Sequence, residues 1–133
     1  MPAAARPPLT PPQPYRKFAI VATAPGQASI TPRPLTELQA IPAIEQAAIG
    51  HAVEKLECLG LNLGYPHSSN IRTADNLREL RPRGGRSWWR VFYARVGEAF
   101  VVGAIGPVNS VSQRDFKRAV TVAERRIKDV EGE

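Results

Sequence analysis

The chain has 133 residues, of which 43% are hydrophobic, and a formal net charge of +6, a content that supports one ordinary core and hence a single domain. The lone cysteine, Cys58, excludes an internal disulfide and a cysteine-built metal cluster, and two histidines argue against a histidine-rich metal site. There is no apolar run of about eighteen residues, and the amino terminus is proline and alanine rather than a basic segment followed by an apolar one. The expectation is a cytoplasmic protein with no metal and no cofactor, whose basic charge calls for an acidic partner: nucleic acid, an anionic membrane surface or an acidic segment of another protein.

Residues 1–14 hold six of the thirteen prolines and little to bury, which reads as a disordered or polyproline-like tail ahead of one folded domain over residues 15–133. Tyr15 to Thr23 reads as a first strand with Phe18, Ile20 and Ala22 on one face, ended by Pro25-Gly26. An irregular passage through Pro32 and Pro34 leads to a brief helical turn over Leu35 to Gln39. From Pro42 the period changes: Ile49, Ala52, Val53, Leu56 and Leu59 recur at helical spacing and predict an amphipathic helix over 43–59, closed by Gly60. His51 and Cys58 read as ordinary residues of that helix. Leu61 to Asn76 reads as a loop from its Gly, Pro, Ser and Asn content. His67 is then an exposed loop histidine, with a role in carrying protons as the alternative.

Leu77 to Gly106 reads as a three-stranded antiparallel meander: Leu77 to Arg81, Ser87 to Val96 and Ala99 to Ile105, broken at Pro82-Arg83-Gly84-Gly85 and at Gly97-Glu98. Seven arginines fall between Arg72 and Arg95 against Asp75 and Glu79, so seven minus two leaves five of the six net positive charges here. Alternation along the middle strand puts Trp88, Arg90, Phe92, Ala94 and Val96 on one face and Trp89, Val91, Tyr93 and Arg95 on the other. Arginine beside an aromatic ring suits an RNA chain, because guanidinium pairs with phosphate while rings stack on bases. The plainer reading is a sheet whose outer arginines are solvated. After Pro107, Ser112 and Asp115 resemble a capping box. Phe116, Ala119, Val120, Ala123, Ile127 and Val130 form the apolar stripe of a helix over 113–130, with Arg118, Arg125, Arg126 and Lys128 pointing away.

The segments LGYPHSSNI, NLRELRPRGG and WRVFYARVGEAFVV, with a closing A-x-x-x-A-x-R-R-I helix, resemble the RelE/HigB superfamily of bacterial type II toxins, in its phage-derived toxin-like branch. The resemblance covers Tyr15 to Asp129. It implies an α+β, RelE-like fold, with an antiparallel sheet of the meander plus the N-terminal strand packed against helices. It further implies a metal-independent, ribosome-dependent endoribonuclease acting on messenger RNA, with no membrane partner, held inactive by a cognate antitoxin, often a helix-turn-helix protein. In such an enzyme the ribose 2′-hydroxyl attacks the phosphate, so charge on the phosphorane must be stabilised and two protons moved. The positions matching the family pattern make Arg81, Arg90 and Tyr93 the catalytic candidates. Arg78, Arg83, Arg86, Trp88 and Arg95 are the RNA-binding candidates, with Arg114 and Lys117 standing in for basic residues that the family carries just after the last strand. Here that stretch reads IGPVNSVSQ, with no charge before Arg114. Arginine is a poor general base, and no residue of the sheet stands out as one. The alternative function is a non-catalytic basic module that binds RNA or its antitoxin.

Overall fold

A computed structural model of the chain describes residues 28–30, 32–74 and 76–132. The expected tail over 1–14 and first strand over 15–23 lie outside the described residues. In chain order the elements are β1 (Ala28–Ile30), α1 (Pro32–Gln39), α2 (Ala43–Leu59), a 3-10 turn over Gly60–Asn62, β2 (Ser68–Asn70), β3 (Arg78–Leu80), a second 3-10 turn over Pro82–Gly85, β4 (Trp89–Val96), β5 (Ala99–Pro107) and α3 (Gln113–Glu131). The sheet order is β1-β5-β4-β3-β2. Four strands run antiparallel to their neighbours, and β1 adds a parallel edge to β5. The fold is α+β.

The meander and both long helices stand where periodicity places them, except that the middle strand begins at Trp89 rather than Ser87 and leaves Trp88 outside it. Ser112 Oγ accepts from the Asp115 N–H at 3.1 Å, capping α3, and the Gly60 N–H closes α2 on the Leu56 carbonyl with φ 56°. Four further expectations are corrected, the fourth being the orientation of Arg126. The brief turn at 35–39 is the end of a two-turn helix, in which Pro32 and Pro34 sit in the first turn, where a missing N–H is of no consequence. The loop over 61–76 contains a strand, β2, made by pairing Ser68, Ser69 and Asn70 with Leu80, Glu79 and Arg78. Leu59, expected in the buried stripe of α2, is 48% exposed, and Ala48 and Gly50 are buried instead.

Helices cover both faces of the sheet. On one, Leu38 of α1 and Ile49, Val53 and Leu56 of α2 pack on Ile30, Leu80, Val91 and Val102. On the other, Ala119, Val120, Ala123 and Ile127 of α3 pack on Phe92, Ala94, Val101 and Ala104, with Phe116 edge-on to Phe92 at 5.3 Å between ring centroids. A β-bulge reconciles the two faces: Phe92 pairs with Ala104 and Tyr93 with Val102, leaving Gly103 extra in β5. A Cβ on Gly103 would lie 2.9 Å from the Ala123 carbonyl oxygen, so the bulge brings α3 onto the strand backbone. The groups freed there find partners. Ile105 N–H donates to Glu37 at 3.2 Å, and Arg126 donates to the Gly103 carbonyl at 3.0 Å while pairing with Glu37 at 3.1 Å. Arg126 therefore turns inward, against the expectation that it points away from the sheet.

Candidate functional site

The end of the sheet where β3 runs into β4 gathers the charge. Alternation in β3 turns Arg78 and Leu80 toward α2 and leaves Glu79, opposite Ser69 and Phe92, on the face that α3 covers further along. Glu79 Oε2 accepts from Ser69 Oγ at 2.8 Å and from Arg81 Nη1 at 2.9 Å. Arg81 Nε donates to the Pro66 carbonyl at 3.0 Å, and its guanidinium carbon lies 5.0 Å from the centre of the Tyr65 ring. That ring is 75% exposed. Arg81 is thus fixed from three sides beside an open aromatic surface.

Arg90 is placed differently. It is 3% exposed, with Nη1 donating to the carbonyls of Ser87 at 2.8 Å and Trp89 at 3.0 Å, and Nη2 to that of Gly85 at 3.3 Å. Its Nε stands 3.8 Å from Glu79 Oε1, which is ion-pair range but too long for a hydrogen bond. Desolvation by burial pushes the Arg90 pKa below the ordinary arginine value; the charge of Arg81 adds to this, and Glu79 opposes it. Arg90 organises the connection from Gly85 to Trp89 from beneath.

That connection has an unusual backbone. Arg83, Gly84 and Gly85 all have positive φ, at 57°, 64° and 96°. A Cβ on Gly85 would meet Arg81 Nη2 at 2.5 Å, so glycine there suits the dihedral and leaves room for the Arg81 guanidinium where it stands. Glu45 of α2 holds the connection from the other side, accepting from Ser87 Oγ at 2.8 Å and pairing with Arg83 at 3.1 Å.

Of the sequence-derived candidates, the structure brings Arg81 and Arg90 together across Glu79, with Arg83 and Arg86 in the same connection and Trp88, 71% exposed, at its end. Tyr93 is elsewhere: it is buried on the α2 face, its hydroxyl sharing a 2.6 Å hydrogen bond with Ser68 Oγ. Arg78 is tied to the edge strand through Ser68 and Asn70. Arg95 is exposed near the β4–β5 turn, and Arg114 and Lys117 are exposed in the first turns of α3, Arg114 beside Asp115 at 3.6 Å. Sequence reading passed over Tyr65, Ser69 and Glu79. Glu79 could have been found as the one carboxylate of β3, alternating between Arg78 and Leu80 toward the face of Arg90.

Residues 36–128 match the family model described as phage derived protein Gp49-like (DUF891). The chain belongs to this family. The matched span runs from α1 into α3 and includes every residue of the Arg81, Glu79 and Arg90 cluster. The Gp49-like family lies in the RelE/Gp49 toxin-like group, which makes this a toxin-like protein and implies a partner antitoxin. No curated protein matches the sequence. Among the described residues, no helix is long and apolar enough to cross a membrane.

Proposed function

We propose that the chain is the toxin of a type II toxin–antitoxin pair in the RelE/HigB manner and acts in the cytoplasm as a ribosome-dependent messenger-RNA endoribonuclease. The observation that carries this reading is the Arg81 guanidinium, oriented by Glu79 and the Pro66 carbonyl beside the exposed Tyr65 ring. A base stacks on Tyr65 while its phosphate meets Arg81, and Arg83, Arg86 and Trp88 extend the contact along the connection. Arg81 stabilises charge on the phosphorane, for which a preorganised donor is worth about a hundredfold or more in rate. Arg90 is a positioning residue, acting through the carbonyls that it holds. The ribosome supplies both proton transfers, removing the 2′-hydroxyl proton and protonating the leaving oxygen, since the arginines cannot act as bases.

A second reading, a basic module that binds antitoxin or RNA without cutting, is favoured by the uncharged stretch from Ile105 to Gln113 and by the burial of Arg90 and Tyr93. Inducing the full chain in growing bacteria separates the two. The nuclease arrests growth and translation and leaves new 5′ ends in translated messengers by primer extension. The binding module leaves growth and messengers intact.

A further inference from the structure

Both histidines of the chain, His51 of α2 and His67 of the loop before β2, line one cavity of about 300 Å³. Its α2 wall is one helical stripe in which Ala47, Ala48 and Ala52 stand with His51 and Lys55. The facing wall is His67, Leu80, Arg81 and Arg83. Among the described residues, no carboxylate lines it. Arg83 is paired with Glu45 and Arg81 with Glu79, whereas Lys55, His51 and His67 have neither an ion pair nor a side-chain hydrogen bond among the described residues. The His67 ring is held beside Gly84, whose missing Cβ would lie 3.9 Å from its Cε1. The cavity therefore presents unpaired nitrogen donors against a shallow alanine wall, with Ile44, 68% exposed, at the rim.

We infer that this cavity binds the phosphate monoester of a single nucleotide. Lys55, His51 and His67 take the phosphate, whose oxygens accept several charged hydrogen bonds at once, and the alanine wall with Ile44 takes the apolar face of the base. The cavity is at the small end of ligand-sized pockets, so it holds one nucleotide rather than a length of strand. The monoester is that of a free mononucleotide or of an RNA end. This inference does not require that the protein cut RNA.

The test titrates the full-length protein with adenosine monophosphate, inorganic phosphate, adenosine, and a short RNA with and without a terminal phosphate, following affinity by calorimetry and amide shifts by NMR. Adenosine monophosphate should bind at least about tenfold more tightly than phosphate or adenosine, moving amides of α2 and of His67 and Ser68. An RNA affinity that rises with the terminal phosphate in the parent but not in the double variant described next identifies the source as an RNA end; adenosine monophosphate bound with no such rise identifies a free nucleotide. The His51→Ala, Lys55→Ala double variant should weaken binding about tenfold or more, while Arg33→Ala, which removes an exposed charge from α1, should leave it unchanged. Both substituted α2 positions are exposed and alanine is the best helix former, so an unchanged melting curve shows that the double variant is folded. Equal binding of phosphate and adenosine monophosphate, or unaltered affinity in the folded double variant, overturns the inference.

Discussion

Arg90 Nε stands 3.8 Å from Glu79 Oε1 with no hydrogen-bond partner, although the rest of the Arg90 guanidinium is spent on three backbone carbonyls. A charge buried in this way is held in place by the Glu79 carboxylate and by the carbonyl dipoles. Arg90→Ala removes the partner of all three carbonyls and should lower stability by about 3 kcal/mol, as breaking a buried charged network does. Urea unfolding measures this, and a variant as stable as the parent would show that the connection does not depend on Arg90. Any loss of RNA cleavage in Arg90→Ala is then to be read alongside its folded fraction.

Gly85 and Gly97 offer a matched comparison. Both have positive φ, 96° and 62°, but a Cβ at Gly97 meets nothing within 4 Å, whereas one at Gly85 meets Arg81 Nη2. Gly97→Ala should cost about 1 kcal/mol from backbone strain alone. Gly85→Ala should carry at least that strain and also turn Arg81 away from Glu79, because the clashing atom is the end of a flexible side chain. If the two variants bind RNA equally well, the Arg81 position is not what the glycine protects.

The approach of α3 to the sheet depends on absent side chains. A Cβ on Gly103 would meet Ala123 backbone and side-chain atoms at 2.9–3.0 Å, and one on Gly106 would meet the Ala119 Cβ at 2.7 Å. Gly103→Ala should destabilise by roughly 1–3 kcal/mol through overpacking, with the helix displaced outward. Thermal unfolding checks this; a melting temperature matching that of the parent would mean that the helix has room to shift.

The long helices were legible because a buried face imposes its period: Ile49, Val53 and Leu56 in α2 and Ala119, Val120, Ala123 and Ile127 in α3 are the buried residues. The β4–β5 hairpin was legible for the same reason at period two. Ser68–Asn70 was not, since nothing in Ser-Ser-Asn favours a strand, and it becomes one through its pairing with β3 and the bonds of Ser68 to Tyr93 and Arg78. Alternation put Arg90 on a definite face but carried no information on the connection that folds over it. The basic charge of the segment was visible, while Glu79 counted only as an offset to it; its part in joining Arg81 and Arg90 comes from pairing between strands.

Burial also revises the electrostatics. Seven arginines between residues 72 and 95 imply a steep salt dependence, but Arg90 is buried and Arg78 is tied to β2. With about three phosphates met by Arg81, Arg83 and Arg86, single-stranded RNA should bind roughly 20-fold more weakly at 200 mM than at 50 mM salt. Fluorescence anisotropy across that range checks the figure. A change of a thousandfold would mean that many more cations engage the strand, and no change would rule out a phosphate interface.

The central claim is that Arg81 stabilises the cleavage transition state of a ribosome-dependent nuclease. Purified protein is added to translating ribosomes and the messenger ends are mapped over time for the parent, Arg81→Ala and Arg33→Ala, each with its melting temperature measured. The parent should cut messenger only when it is being translated, Arg33→Ala should match it, and folded Arg81→Ala should be slower by about a hundredfold or more. Full cleavage by folded Arg81→Ala, or no cleavage by the parent on translating ribosomes, would contradict the claim.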